Sequence, residues 1–233
     1  MTKKVVIIGA GYAGILTAKK LAKRVKKYKA DVEITLIDRN PFNTMLTELH
    51  EVAANRVDEE SIKISLKKVF AKRDVNVVLD NIASIDFENK TVHGEVDQYP
   101  YDYVVIAAGS KPTYFGVEGA EEHSWKLWSY DDAVNLREHI LGQFRKAAVE
   151  TNYEEKRRLL TFHIVGAGFT GVEMAGELAE WAPILCEQFE INREDVTIVA
   201  VDVLARVVPN LSTASSDKIQ RRMEKMGIRV DLG

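Results

Sequence analysis

The chain has 233 residues, a formal net charge of −3 and one cysteine. That length allows one large domain or two small ones, and an apolar fraction of 46% suits a folded α/β protein rather than a disordered one. The charge balance offers nothing to a nucleic-acid backbone, no apolar run approaches the ~20 residues that cross a bilayer, and the lone Cys186 excludes an internal disulfide framework.

A reducing, cytoplasmic setting is therefore expected. The opening MTKKVVIIGAGYAGILTA places basic residues ahead of an apolar run, as a signal peptide does, but its glycines and its strand-turn-helix pattern argue against that reading. Lys4 to Ile8 predicts a buried strand running into Gly9, Gly11 and Gly14 in a G-x-G-x-x-G. Ala13 to about Lys27 predicts a helix with Gly14, Ile15, Ala18, Leu21, Ala22 and Val25 on one face. Opposite fall Lys19, Lys20, Lys23, Lys26 and Lys27, a solvated face. In such a unit the first glycine permits a tight turn, the second lets backbone approach a pyrophosphate, and the third lets the helix press on the strand. The bare N–H groups at the helix start then face the phosphate charge. Alone the motif is weak evidence, because glycine-rich turns recur for packing reasons. Val32 to Ile37 predicts the next strand, ending in Asp38 at about the spacing where an acidic residue holds a ribose hydroxyl. An ordinary polar strand end is the competing reading.

Asn40 to Asn55 begins as a Pro-containing turn and continues as a helix. Val75 to Leu79, Ile82 to Phe87 and Thr91 to Val96 alternate enough for short strands, with Glu88, Asn89 and Lys90 turning between two of them. Tyr101 to Ala107 predicts a further strand. It runs into Ala108-Gly109-Ser110, small residues that either let the chain pass close to a ligand or simply end the strand. Lys111 to Gly119 is rich in Pro and Gly and reads as a crossing between domains, with the boundary near Glu118, giving domains 1–118 and 119–233. Ser129 with Asp132 predicts the N-cap of a helix reaching about Glu150, and the polar run Thr151 to Arg158 separates that helix from the next strand.

Thr161 to Leu178 repeats the opening pattern, an apolar run followed by Gly166, Gly168 and Gly171, and two such turns imply two nucleotides. Gly171, Val172, Ala175, Leu178, Ala179 and Ala182 share the sheet-facing side of the second helix, so Glu173 and Glu177 point away from that sheet. As i,i+4 like charges they repel by roughly 0.2–0.5 kcal/mol, which the helix N-terminus offsets only in part. Something else should compensate. Trp181 to Glu194, with Pro183 and Cys186, reads as a helix end and a loop, the cysteine as a small buried filler. Val196 to Val201 predicts a strand ending in Asp202, the second ribose candidate. Its charge opposes the extra phosphate of NADP by several kcal/mol before screening, at ~4 Å and an effective dielectric of about 20. Arg206 lies near enough in sequence to soften this. Ser212 or Ser215 caps a helix ending at Met226 with Gly227 after it, and Ile228 to Leu232 begins another strand.

The order of these signals resembles the two-dinucleotide flavoprotein reductases. The stretches RNPFNTMLTELHEVA, GSKPTYFGVEGAEEHSWKLWSYDDAVNLREHI and VGAGFTGVEMAGELAE are most similar to the type II NADH dehydrogenases, single-subunit NADH:quinone oxidoreductases. The likeness covers nearly the whole chain. It implies an α/β fold of two Rossmann-like dinucleotide-binding domains, the FAD/NAD(P)-binding fold, with the second domain and the end of the first incomplete. The FAD site so implied comprises Gly9, Gly11, Tyr12, Ala13, Gly14, Asp38, Arg39, Asn43, Ile82 by its backbone, Ala108 and Gly109. The NADH site comprises Gly166, Gly168, Phe169, Thr170, Gly171 and Asp202. Glu173 matches the family's glutamate beside the nicotinamide and flavin rings. It is the catalytic candidate, assigned to positioning and tuning rather than to proton abstraction. A hydride would pass from NADH to FAD and electrons onward to a quinone. No metal and no nucleic-acid partner are implied, and a homodimer is compatible.

Two departures from the family pattern matter. Disulfide-reducing relatives carry a cysteine pair shortly after the first helix, and sulfide-oxidising relatives need several cysteines, whereas Asn40 to His50 holds none. The chain also stops at Gly233 as a strand forms, which reads as a truncated form. The rest of the NAD domain, the return segment of the FAD domain and the part meeting membrane and quinone are then expected beyond it. The full-length protein is expected to sit peripherally on the inner face of the cell membrane, touching it only through that later part. The alternatives on the same scaffold are a soluble FAD-dependent NAD(P)H oxidase or ferredoxin reductase, or a non-catalytic dinucleotide-binding fragment.

Overall fold

Alternate residues of the first strand, β1 (Lys3–Ile8), enter two different hydrophobic layers in the computed structural model, which describes residues 1–233. Val5 and Ile7 join Ala18 and Ala22 of helix α1 (Tyr12–Tyr28), while Val6 and Ile8 join Val92 and Tyr101 on the opposite side. A stretch covered on both faces must be apolar at every position, which is why Val5–Ile8, the buried part of the strand, is a continuous apolar run rather than an alternation.

The chain then forms β2 (Val32–Asp38) and β3 (Phe42–Thr44), a short helix α2 (Leu49–Ala53), β4 (Lys63–Ser65) and α3 (Leu66–Phe70). Next come β5 (Asn76–Leu79), β6 (Ile82–Asp86), β7 (Thr91–Gly94), β8 (Gln98–Pro100) and β9 (Tyr103–Ile106). After these follow α4 (Ala120–His123), α5 (Tyr130–Val149), α6 (Tyr153–Leu159), β10 (Thr161–Val165), α7 (Phe169–Gln188), β11 (Thr197–Asp202), α8 (Thr213–Lys225) and β12 (Ile228–Leu232). The chain divides into two compact units, Met1–Met45 with Ile62–Thr113, and Leu46–Ser61 with Tyr114–Gly233.

In the first unit four parallel strands lie in the order β5-β2-β1-β9. The strand order reverses between β1 and β9, and ligands of open α/β sheets bind at the carboxyl ends of the strands beside such a reversal. The antiparallel strands β6, β7 and β8 supply Val92 to the layer opposite α1. Asp80 ties them to the end of β5. Its carboxylate accepts the N–H groups of Asn81, Glu95, Val96 and Asp97 and the Tyr99 hydroxyl. In the second unit β10, β11 and β12 lie side by side and parallel, with Ile198, Val199 and Ala200 of the central strand buried. Ser129 and Asp132 cap α5 reciprocally, and Ser212 caps α8.

Several expectations are corrected. The helix expected before Asn55 is only α2, preceded by β3, which pairs antiparallel with β4. The run Thr151 to Arg158 is largely helical, because Asn152 caps α6 and a bidentate Glu155–Arg158 pair stabilises its exposed face. Helix α7 does not end near Trp181. It continues through Pro183 to Gln188, and the burial of Trp181, Ala182, Leu185 and Cys186 outweighs the hydrogen bond that proline removes. No helix is long and apolar enough to cross a membrane.

Candidate functional site

The turn after β1 is shaped by what glycine lacks. Gly9 has φ +98°, and a β-carbon there would stand 2.3 Å from the Ala107 carbonyl oxygen at the end of β9. One on Gly14 would stand 1.8 Å from the Gly9 oxygen. These two glycines let helix, turn and strand touch. Gly11 differs, since a β-carbon there would meet nothing within 4 Å, so its backbone borders open space. Gly11 is also the N-cap of α1, with no side chain capping the helix and no acid in its first turn. The helix start therefore presents positive backbone dipole to a bare surface.

The second turn copies the first nearly bond for bond. Gly166 has φ +101°, a β-carbon on Gly171 would stand 1.7 Å from the Gly166 oxygen, and Gly168 borders open space as the uncapped N-cap of α7. The Gly9 and Gly166 N–H groups donate to Ile37 and Val201 carbonyls, each at 2.8 Å. Asp38 accepts the Ala10 N–H at 2.6 Å and the Asn40 N–H at 2.8 Å. Asp202 accepts the Ala167 N–H at 2.7 Å and the Leu204 N–H at 2.8 Å. One difference stands out. β10 lies at the edge of its sheet, so nothing approaches Gly166 as Ala107 approaches Gly9.

The remaining residues expected at the first turn lie in the first unit. Tyr12 and Ala13 are exposed at the start of α1, Arg39 is exposed after β2, and Asn43 is buried on β3. Ile82 opens β6, and Ala108 and Gly109 are exposed beyond β9, Gly109 with φ +79°. In the second unit Phe169 and Thr170 are exposed at the start of α7, Phe169 to the same 54% as Tyr12 at the equivalent position. Arg206 is turned away from an independent role. Its guanidinium donates to the Thr213 hydroxyl at 2.8 Å and the Pro209 carbonyl at 3.1 Å.

Glu173 and Glu177 find their compensation in Leu46–Ser61, the segment of the second unit drawn from early in the chain. Leu49, Val52, Ala53 and Ala54 of this segment are buried, and α2 packs against α5 and α7. Arg56 Nη1 reaches Glu177 Oε1 at 2.5 Å and lies 3.9 Å from Glu180 Oε2. His50 Nδ1 lies 3.8 Å from Glu173 Oε2. Glu59 pairs with Arg137 of α5 at 2.7 Å and pins the segment's other end. Neither His50 nor Arg56 emerges from sequence reasoning. The one available clue is the unbalanced pair of glutamates on α7. His50, Glu51 and Glu177 also bring possible metal-binding atoms within 4.8 Å of one another, but Arg56 already provides a cation to Glu177.

A pyrophosphate needs a second glycine with room beside it and uncapped N–H groups, and both turns offer these. The residues present therefore fit one dinucleotide at each turn. Residues 3–233 match the sequence profile of the pyridine nucleotide-disulphide oxidoreductases. The chain is 36% identical over 237 residues to a type II NADH:quinone oxidoreductase of Mycobacterium tuberculosis, covering 99% of this chain and 50% of that protein. It is 32% identical over 226 residues to the type II NADH:quinone oxidoreductase of Staphylococcus aureus, covering 97% and 55%. The chain thus spans about half the length of the curated relatives it matches. The solved structure of NDH2 from Plasmodium falciparum in complex with NADH superposes with a TM-score of 0.87 at 21% identity, over 100% of this chain and 48% of that one. Two glycine turns in tandem, an aspartate fastened to each and a profile match over almost every residue lead to one assignment: the chain belongs to the pyridine nucleotide-disulphide oxidoreductase family.

Proposed function

We propose that the chain is the dinucleotide-binding core of an FAD-dependent NADH:quinone oxidoreductase, with FAD held by the first unit and NADH by the second. The observation that carries this reading is the duplicated turn, in which Gly11 and Gly168 both face open space beneath an uncapped helix start. Identity of 36% to a type II NADH:quinone oxidoreductase favours quinone as the acceptor. The absence of cysteine from Asn40 to His50 speaks against the disulfide chemistry for which the family is named.

In this reading Gly9, Gly11, Tyr12, Ala13 and Gly14 line the pyrophosphate of FAD, and Asp38 and Arg39 meet its ribose end. Asn43, the Ile82 backbone and the Ala108-Gly109 turn complete the contacts. Gly166, Gly168, Phe169, Thr170, Gly171 and Asp202 do the same for NADH. Asp38 and Asp202 each carry more lone pairs than their two backbone donors occupy, which leaves acceptors for ribose hydroxyls. Bound FAD would supply the acceptance of hydride from NADH and the onward delivery of electrons. Glu173 orients the reacting rings and tunes the charge around them. Because a quinone acceptor partitions into lipid, the whole protein works at a membrane surface, which we place at the inner face of the cell membrane.

The test is direct. Purified protein should be yellow or take up added FAD, NADH should bleach it anaerobically, and a short-chain quinone should restore the colour. Colourless protein that takes up no flavin would overturn the reading.

A further inference from the structure

Glu173, Glu177 and Glu180 occupy one stripe of α7, spaced four and three residues apart. Against this stripe the segment Leu46–Ser61 sets two basic side chains, and they divide the acids between them. Arg56 takes Glu177 at 2.5 Å and approaches Glu180 at 3.9 Å. That leaves His50 as the basic side chain facing Glu173, at 3.8 Å from Nδ1 to Oε2.

The two members of this pair are held very differently. The His50 side chain is 13% exposed, and it stands on α2 between Leu49 and Val52, which are 4% and 0% exposed. The Glu173 carboxylate is 50% exposed on a flexible stem. When a fixed group faces a mobile one, the fixed group sets the position. The separation exceeds a hydrogen bond, so the influence is the polar attraction between the imidazole edge and the carboxylate, and a boundary on where the carboxylate can swing.

We propose that His50 is a positioning residue for Glu173, so that the segment Leu46–Ser61 sets the placement of the carboxylate assigned to the nicotinamide. This rests on the reading of the second unit as the NADH site, and it adds a residue that acts through Glu173 rather than on the cofactor.

The experiment compares wild type with Glu173→Gln, His50→Leu, His50→Asn and the double variant His50→Leu/Glu173→Gln. Anaerobic bleaching by NADH and calorimetric NADH affinity are measured for each. His50→Leu keeps the apolar packing and should slow bleaching on the order of tenfold, less than the hundredfold that a 1 Å misplacement can cost. His50→Asn, which keeps a neutral polar N–H group facing the carboxylate, should recover part of that loss. In the Glu173→Gln background His50→Leu should cost nothing further, because residues acting through one another are not additive. Equal losses in both backgrounds, or no loss at all, would overturn the proposal. If His50→Leu unfolds, His50→Met, which is also apolar, replaces it. The contact is also read without any cofactor: Glu173→Gln should move the NMR signals of the His50 imidazole in the free protein, and unmoved signals would overturn the pairing. Wild type that never bleaches, with those signals moved, would instead count against the NADH assignment alone.

Discussion

The Asp38 carboxylate accepts the buried Ala10 N–H at 2.6 Å, and Asp202 accepts the buried Ala167 N–H at 2.7 Å. An acid at the end of the second strand is usually explained by the ribose it holds. Here it has a prior structural task, which is to fasten the glycine turn before any nucleotide arrives. The second oxygen of each carboxylate is also engaged, by Asn40 in one unit and Leu204 in the other. Each aspartate is thus fixed in orientation by the turn it fastens, so the ribose end proposed for each site would be set together with that turn.

Replacing Asp38 by Ala should therefore damage the turn as well as the ribose contact proposed for it. Ala10 is 2% exposed, so its orphaned N–H costs about 1–3 kcal/mol. Thermal unfolding without added FAD should fall along with flavin content in Asp38→Ala. Flavin loss with unchanged flavin-free unfolding would show that the aspartate serves the ribose alone.

The glycines of the first turn should separate into two kinds. A β-carbon on Gly14 has nowhere to go, so Gly14→Ala should destabilise the unit by about 1–3 kcal/mol through overpacking. A β-carbon on Gly11 meets no protein atom, so Gly11→Ala should fold normally and lose FAD. Unfolding temperature and flavin content, measured on both variants, distinguish these outcomes, and a Gly11→Ala protein that retains FAD would refute the placement of the pyrophosphate.

Nicotinamide preference should follow from Asp202. Its carboxylate cannot turn away from an added phosphate without releasing Ala167 and Leu204, and Arg206 is committed to Thr213 and Pro209. NADH should bind roughly tenfold to a hundredfold more tightly than NADPH, a few kcal/mol of repulsion less screening. Asp202→Asn keeps an acceptor for Ala167 and should narrow the gap. Binding titrations with both nucleotides check this, and equal affinities in the wild type would sink it.

What the sequence disclosed was local and periodic. The continuous apolar runs of β1 and β11, the small-residue face of α1 and the Ser129 capping box are each written within a few neighbouring residues, and each forms where expected. What stayed hidden was set by partners distant in the chain. Pro183 reads as a helix end because the burial that carries α7 past it comes from tertiary packing. The unbalanced charge of Glu173 and Glu177 was legible, but Arg56, 121 positions before Glu177, had no local mark that would identify it as the answer. Strands β3, β4 and β8 span three residues each, too few for alternation to show.

Part of the acid limb and part of the alkaline limb of stability should trace to Asp80 and Tyr99. Burial opposes the charged form of Asp80, but the Tyr99 hydroxyl and the N–H groups of Val96, Asp97 and Asn81 outweigh it and hold the carboxyl below the ordinary value of 3.8. A folded-state value lowered in this way adds stability that is present above the unfolded value and is lost as pH falls through the folded one. The acid limb from this group therefore begins near 3.8 and lies below it. Tyr99 behaves in the opposite sense. Burial, together with the hydrogen bond to Asp80 and its charge, pushes the phenol from 10.0 up to about 12. Its contribution is complete below 10.0 and disappears as pH climbs through about 12. Tyr99→Phe removes both effects at once: the alkaline limb between those values should vanish, and the acid limb should move upward as Asp80 loses its hydroxyl donor. Unfolding midpoints recorded from pH 3 to pH 12 would show whether the two limbs shift together in that single variant, as they must if one hydrogen bond of 2.7 Å underlies both.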